Sequence, residues 1–148
     1  MKKTTQTRPG HEKKMSSVPV SEPAPLEKKL NGKVVLITGG DSGIGKAVAI
    51  LFAQQGANVA ISYLNEHDDA TNTQVKVEAY GQECLLIPGD LSKEAHCKKV
   101  LALTMRRFKK LDVLVNNAAI HYAAKTLEEI TSRNFLHSFQ VNFSVTFS

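Results

Sequence analysis

The 148-residue chain is long enough for one domain with a real core, and 42% hydrophobic with 22% charged residues is an ordinary globular composition. No apolar run nears the roughly 18 residues of a membrane span, and no apolar segment follows Met1-Lys2-Lys3 as in a secretory signal, so a cytoplasmic protein with no membrane contact is expected. The net charge of +5 belongs to a tail: residues 1–30 hold seven Lys/Arg and three Glu, and no aromatic residue is interleaved with the lysines, which argues against nucleic-acid binding.

Residues 1–29 carry prolines at positions 9, 19, 23 and 25 among Ser, Glu and Lys, and read as an extended, poorly ordered leader. The globular part is expected to begin near Leu30 and run to residue 148. Val34-Val35-Leu36-Ile37, within 33–38, is a short continuous apolar run, the mark of a strand buried on both faces. A Gly-rich turn follows over 38–45. Ile44, Ala47, Val48, Leu51 and Phe52 then recur with helical spacing, and Gly56 marks the stop. A second strand is read over 57–63, and a second helix over 68–80, acidic at its start and stopped by Gly81. A third strand spans 84–87. Ser92 is a candidate cap for a third helix with Cys97, Val100, Leu101, Thr104, Met105 and Phe108 facing inward. Basic residues 106, 107, 109 and 110 suit the negative end of that helix. A fourth strand follows over 111–115, and Thr131 or Ser132 opens a fourth helix holding Phe135, Leu136, Phe139 and Phe143. Cys84 and Cys97 fall in apolar positions and read as buried, reduced thiols.

Strict alternation of strand and helix predicts an α/β protein, a doubly wound parallel sheet with right-handed crossovers. Ligands in such sheets bind beyond the strand C-termini, where the strand order reverses, and the Gly-rich turn lies at that edge. Gly39, Gly43 and Gly45 permit positive φ and remove side chains that would block a diphosphate, while the first-turn amides of the following helix face the anion. A rival reading is a nucleoside-triphosphate P-loop, because Gly40 to Gly45-Lys46 fits its opening pattern. The next residue is Ala47, where a Mg²⁺-ligating Ser or Thr is needed, which counts against it.

The spacing Thr38-Gly39-x-x-x-Gly43-x-Gly45 resembles the short-chain dehydrogenase/reductase family. Gly89-Asp90-Leu91 is similar to that family's adenine-contacting segment, and Asn116-Asn117-Ala118-Ala119 to its Asn-Asn-Ala-Gly motif, with Ala119 in place of the last glycine. Asn142 falls where the family has the helix asparagine of its catalytic tetrad. In the leader, Gln6, Pro9-Gly10, Met15 and Pro19 resemble a bacterial subgroup often called general stress protein 39-like oxidoreductases.

The resemblance implies a Rossmann-type fold and an oxidoreductase that moves hydride between NAD or NADP and an alcohol or carbonyl carbon, working as a homo-oligomer. It implies cofactor contacts at Thr38, Gly39, Asp41, Ser42, Gly43, Ile44, Gly45, Tyr63, Asp90, Leu91, Asn117, Ala118 and Ala119, and a catalytic role for Asn142. An acid at the end of strand two would bind the ribose 2′-hydroxyl; that place holds Ser62-Tyr63, with Glu66 a little later, and no Lys or Arg stands ready for a 2′-phosphate. Ser42 stands where NADP-preferring members often carry a base, and Asp41 would repel a 2′-phosphate, which tilts the expectation towards NAD. The family's Tyr-x-x-x-Lys pair is absent: His67, Cys84 and Thr126 stand four residues after Tyr63, Tyr80 and Tyr122. The chain is therefore expected to be an N-terminal fragment, cut after about four strands and inactive alone. Its fourth strand would be an apolar sheet edge. A non-catalytic nucleotide-binding fragment is the alternative.

Overall fold

The structure, a computed structural model, describes residues 27–143, so the leader motif at 6–19 lies outside the described residues. The elements run β1 (Val34–Thr38), α1 (Gly43–Gln54), β2 (Asn58–Tyr63), α2 (His67–Glu78), β3 (Cys84–Pro88), α3 (Glu94–Phe108), β4 (Val113–Val115) and α4 (Ser132–Phe143), with a short 3-10 turn at Leu127–Glu129. The four strands form one parallel sheet in the order β3-β2-β1-β4. Val35 and Ile37 of β1 pair with Val59 and Ile61 on one side and with Val113 and Val115 on the other. No helix among the described residues is long and apolar enough to cross a membrane.

The apolar runs of β1 and β2 are explained by helices on both faces. Val35, Ile37, Val59, Ile61 and Tyr63 pack with Ala49 and Ala53 of α1 and with Ala70 and Val77 of α2. The alternate residues Leu36 and Ala60 pack with Ile87, Leu91 and with Cys97 and Val100 of α3. Side chains on a strand point to opposite faces in turn, so continuous apolar sequence buries both. The chain moves outward from β1 to β2 to β3, then returns to place β4 on the other flank of β1. That reversal opens a crevice at the C-terminal ends of β1 and β4.

Several helix faces differ from the sequence expectation. On α1 the buried residues are Gly45, Ala49 and Ala53, whereas Ile44 and Leu51 are 76% and 56% exposed. The smallest residues, spaced four apart, face the sheet because the helix lies close to it, and larger side chains rotate outward. On α3, Cys97, Val100 and Thr104 are buried, while Leu101 and Met105 are largely exposed. On α4, Phe135, Leu136 and Phe139 are exposed rather than inward-facing; the side chain of Phe143 lies outside the described set. Ser92 does not cap α3, whose N-cap position is Lys93; its amide instead donates to Asp90 Oδ1 at 2.9 Å. Thr131 does cap α4, its Oγ1 accepting from Asn134 N at 3.1 Å. Both thiols are free, Cys97 buried and Cys84 partly so, and burial, with Glu78 nearby, pushes the Cys84 thiol up to about 12.

Candidate cofactor-binding cleft

At the end of β1 the chain turns on Thr38 and Gly39. The Thr38 hydroxyl accepts from the backbone amides of Asn117 and Ala118, each at 3.0 Å, and so ties the end of β4 to that of β1. The Asn117 side-chain amide donates to the carbonyls of Thr38 and Gly39 at 3.2 and 2.9 Å. The Gly39 amide donates to Ser62 O at 2.7 Å, joining the turn to β2 as well. From the other face, the Thr73 hydroxyl of α2 donates to Asp41 O at 2.8 Å. The turn is thus held from three sides before any ligand arrives.

The three glycines divide their work, which corrects the expectation that all three clear space for a phosphate. A Cβ on Gly45 would collide with Gly39 O and press on Asn117 Nδ2, so this glycine lets α1 meet the end of β1. Gly39 has φ +64, and a Cβ there would lie 3.0 Å from Ala118 Cα. Only Gly43, at φ +52, faces open space, with nothing within 4 Å of where a Cβ would stand. Beside it the N-terminus of α1 has no side-chain cap and no acidic residue in its first turn. Unpaired first-turn amides under an open glycine suit an anion.

A cleft of about 430 Å³ opens above the strand ends, within the range of small-molecule sites. Of the residues expected to contact a cofactor, Gly39, Asp41, Ser42, Tyr63, Asp90, Leu91, Asn117, Ala118 and Ala119 line it. Thr38 and Gly45 sit behind it as supports, while Gly43 and Ile44 lie on the exposed side of the turn. Asn142 is elsewhere: it lines a neighbouring hollow, its Oδ1 accepting from Ile120 N at 2.9 Å and its Nδ2 donating to Ile120 O at 3.3 Å. This two-point clasp holds the segment after β4 against α4.

Leu64, Ile120, His137 and Val141, not singled out from sequence, also line the cleft, as do Ser62 and Glu66, which the sequence marks only as residues at the cofactor-selecting end of strand two. His137 and Val141 are four apart on α4, a spacing that puts them on one helix face. Asp41, Glu66 and Asp90 are among the lining residues, and no Lys or Arg among the described residues lines the cleft. Hydrogen bonds from Ser92 hold the Asp90 carboxyl below its ordinary range, with Lys93 and His137 adding to the effect. Tyr63 is nearly buried, its hydroxyl 2.9 Å from His67 Nδ1; burial, and then the Asp41 charge, raise its pKa. Lys46 is absent from the lining and donates to Asn72 Oδ1 at 2.8 Å, which removes the lysine a P-loop would direct at phosphate.

A parallel sheet ordered 3-2-1-4, with a Gly-rich turn and an uncapped helix N-terminus at the strand reversal, defines a nucleotide-binding α/β protein of Rossmann type. Comparison with known proteins narrows this. The short chain dehydrogenase family model matches residues 33–148, and the chain belongs to that family. It is 49% identical over 135 residues to the uncharacterized oxidoreductase YhxC of Bacillus subtilis, covering 91% of this chain and 47% of the relative. It is 44% identical over 142 residues to general stress protein 39 of the same organism, covering 94% and 50%. Among solved structures, a short chain dehydrogenase from Burkholderia cenocepacia in complex with NADP matches with a TM-score of 0.75 at 34% identity, over 78% of this chain and 47% of the other. A 3-ketoacyl-(acyl-carrier-protein) reductase from Brucella melitensis, complexed with NADH, matches with a TM-score of 0.71 at 33% identity, over 78% and 46%. The chain thus spans about half the length of the relatives it matches.

Proposed function

We propose that this chain binds a nicotinamide dinucleotide in the cleft and forms the cofactor half of an oxidoreductase acting on a small alcohol or carbonyl compound. One observation carries the reading: the open Gly43 stands over the uncapped first turn of α1, at the reversal of strand order. The α1 amides would hold the diphosphate. Asp90 and Leu91 would flank the adenosine, and Asn117, Ala118 and Ala119 would border the path to the nicotinamide. When bound, the nicotinamide supplies hydride chemistry.

Three acidic residues in the lining, with no Lys or Arg among the described residues there, support NAD over NADP, since a 2′-phosphate would meet like charge. Asn142 would act by fixing the Ile120 backbone at the edge of the cleft. No Tyr-x-x-x-Lys stands in these 148 residues to relay a proton to a substrate oxygen. These 148 residues would therefore bind the dinucleotide without turning over a substrate. Full-length relatives would work as cytoplasmic homo-oligomers, and the exposed Phe135 and Leu136 of α4 support the association.

Fluorescence titration with NADH and NADPH tests the proposal. Saturable binding of NADH, tighter than NADPH, is expected. Binding of ATP that requires Mg²⁺, with no response to either dinucleotide, would overturn it.

A further inference from the structure

The turn from Gly89 to Leu91, between β3 and α3, forms one wall of the cleft. Gly89 N donates to Tyr63 O at 2.8 Å, Lys93 N to Asp90 O at 3.2 Å, and the buried Cys97 thiol to Leu91 O at 3.2 Å. The wall also rests on a side chain that no motif accounts for, His96 in the first turn of α3. Gly89 has φ +147, and a Cβ there would overlap Cε1, Nδ1 and Nε2 of the His96 ring. The glycine therefore lets the imidazole pack against the backbone of the turn. The ring in turn limits how far the wall can move towards α3.

The ring is half-buried, so protons reach it, yet its Nε2 is buried and has no hydrogen-bond partner among the described residues. An imidazolium carries N–H donors on both nitrogens. Protonation of the ring where it stands would leave a charged donor buried without an acceptor, which costs more than a neutral one. The charged groups acting on the ring are Asp90 on the turn and Lys93 and Lys99 on its own helix. Burial, then Lys99, push its pKa below the ordinary 6.5; Asp90 opposes them and Lys93 adds to them. The neutral ring fits its place, and the cation gains by moving out to water.

We propose that His96 is a positioning residue for the cleft: its neutral ring holds the Gly89–Leu91 wall in the shape that accepts the dinucleotide, and protonation drives the ring out, lets the wall shift and weakens cofactor binding. This rests on the dinucleotide reading above. It makes affinity fall with acid in a range where Asp90, held ionised by Ser92, does not titrate. The coupling is reciprocal: bound dinucleotide makes His96 harder to protonate, by the same factor.

The test titrates the 148-residue wild type, His96→Phe, His96→Gln and His96→Ala with NAD by calorimetry, from about pH 7.5 down to about pH 5. NMR follows the His96 ring and the Gly89 and Asp90 amides over the same range. Wild-type affinity should fall about fivefold or more towards acid. His96→Phe, which keeps a ring that cannot titrate, should match wild type at the upper pH and lose that slope. His96→Gln should lose the slope too, and His96→Ala should bind about fivefold or more weakly throughout. The other histidines near the cleft, His67 and His137, titrate alike in all four proteins and do not create a difference between them. A wild type with no acid slope, the same slope in His96→Phe and His96→Gln, or wild-type affinity in His96→Ala would overturn the inference. Should His96→Phe not fold, the slope of His96→Gln decides. The Gly89 and Asp90 amides should shift with the midpoint of the His96 ring, and saturating NAD should move that midpoint lower; amides that stay still would sink the inference whatever the ligand does. A wild type that binds no dinucleotide at any pH would sink the functional reading, and the amide shifts would then still show whether the ring governs the wall.

Discussion

A methyl group at position 45 would run into the carbonyl of Gly39 and the side chain of Asn117, both already committed to holding the turn. Gly45→Ala must therefore lift α1 from the end of β1, and a loss of about 1–3 kcal/mol is expected in urea denaturation. Gly43→Ala meets no neighbour among the described residues, so its cost is the positive φ, about 1–2 kcal/mol. Its larger effect should fall on ligand, because the added methyl occupies the open approach to the α1 amides. NADH affinity should drop about tenfold or more, an amount equal to at least ~1.4 kcal/mol. Titration and denaturation of both variants would separate the packing glycine from the ligand-facing one; matching profiles would refute the division. Both glycines belong to one sequence pattern, and their different tasks are set by what each one faces.

At the scale of elements, the start of β1 and the approach to β4 are joined by Asp112. Its Oδ2 accepts from Val34 N at 2.9 Å, with Lys33 and Lys110 ammonium groups each at 3.3 Å. The bond from Val34, then the two lysines, hold its carboxyl below the ordinary value of 3.8. A carboxyl that binds protons less readily when folded stabilises the fold above its unfolded pKa. That stabilisation is lost as pH falls through the lowered folded value. Thermal melts should therefore show wild type losing stability below about pH 4, with Asp112→Asn less stable at pH 7 and less sensitive to acid. Parallel curves for the two proteins would refute this.

On the whole molecule, β4 ends the sheet among the described residues, bordered by β1 alone, and Leu114 on it is 45% exposed. An apolar edge invites pairing with another chain. In the 148-residue protein, Leu114→Lys should lower self-association in sedimentation velocity; an unchanged distribution would argue against edge pairing. The same protein, mixed with NAD and a panel of alcohols or with NADH and aldehydes, should show no change in nicotinamide absorbance. Turnover would mean that a proton relay other than Tyr-x-x-x-Lys operates.

Local features of the chain were enough to determine the order of strands and helices, the Gly-rich turn between β1 and α1, and the family. Four-residue apolar runs, helical spacing and the grouped motifs at 38–45, 89–91 and 116–119 are short-range patterns that survive without knowledge of neighbours. The parallel sheet followed from them, and nine of the residues named from those motifs and from the end of strand two line the cleft, because a doubly wound sheet brings its strand ends to one edge; the order of the strands came from the structure. Packing decided the rest. The buried face of α1 is the small-residue one because the helix lies close to the sheet, a distance that composition does not state. Ser62 reads from sequence as an uncharged residue at the cofactor-selecting end of strand two, and only the structure shows it buried with an unpaired hydroxyl. His137 lies 47 residues beyond Asp90, and only the return of α4 over the cleft brings the two together. Asn142, matched to a catalytic position by its motif, has its amide engaged at both ends by Ile120. The sequence on its own specified what kind of ligand the turn suits. The tertiary structure decided which side chains surround it, since only long-range packing determines which polar atoms are left without partners.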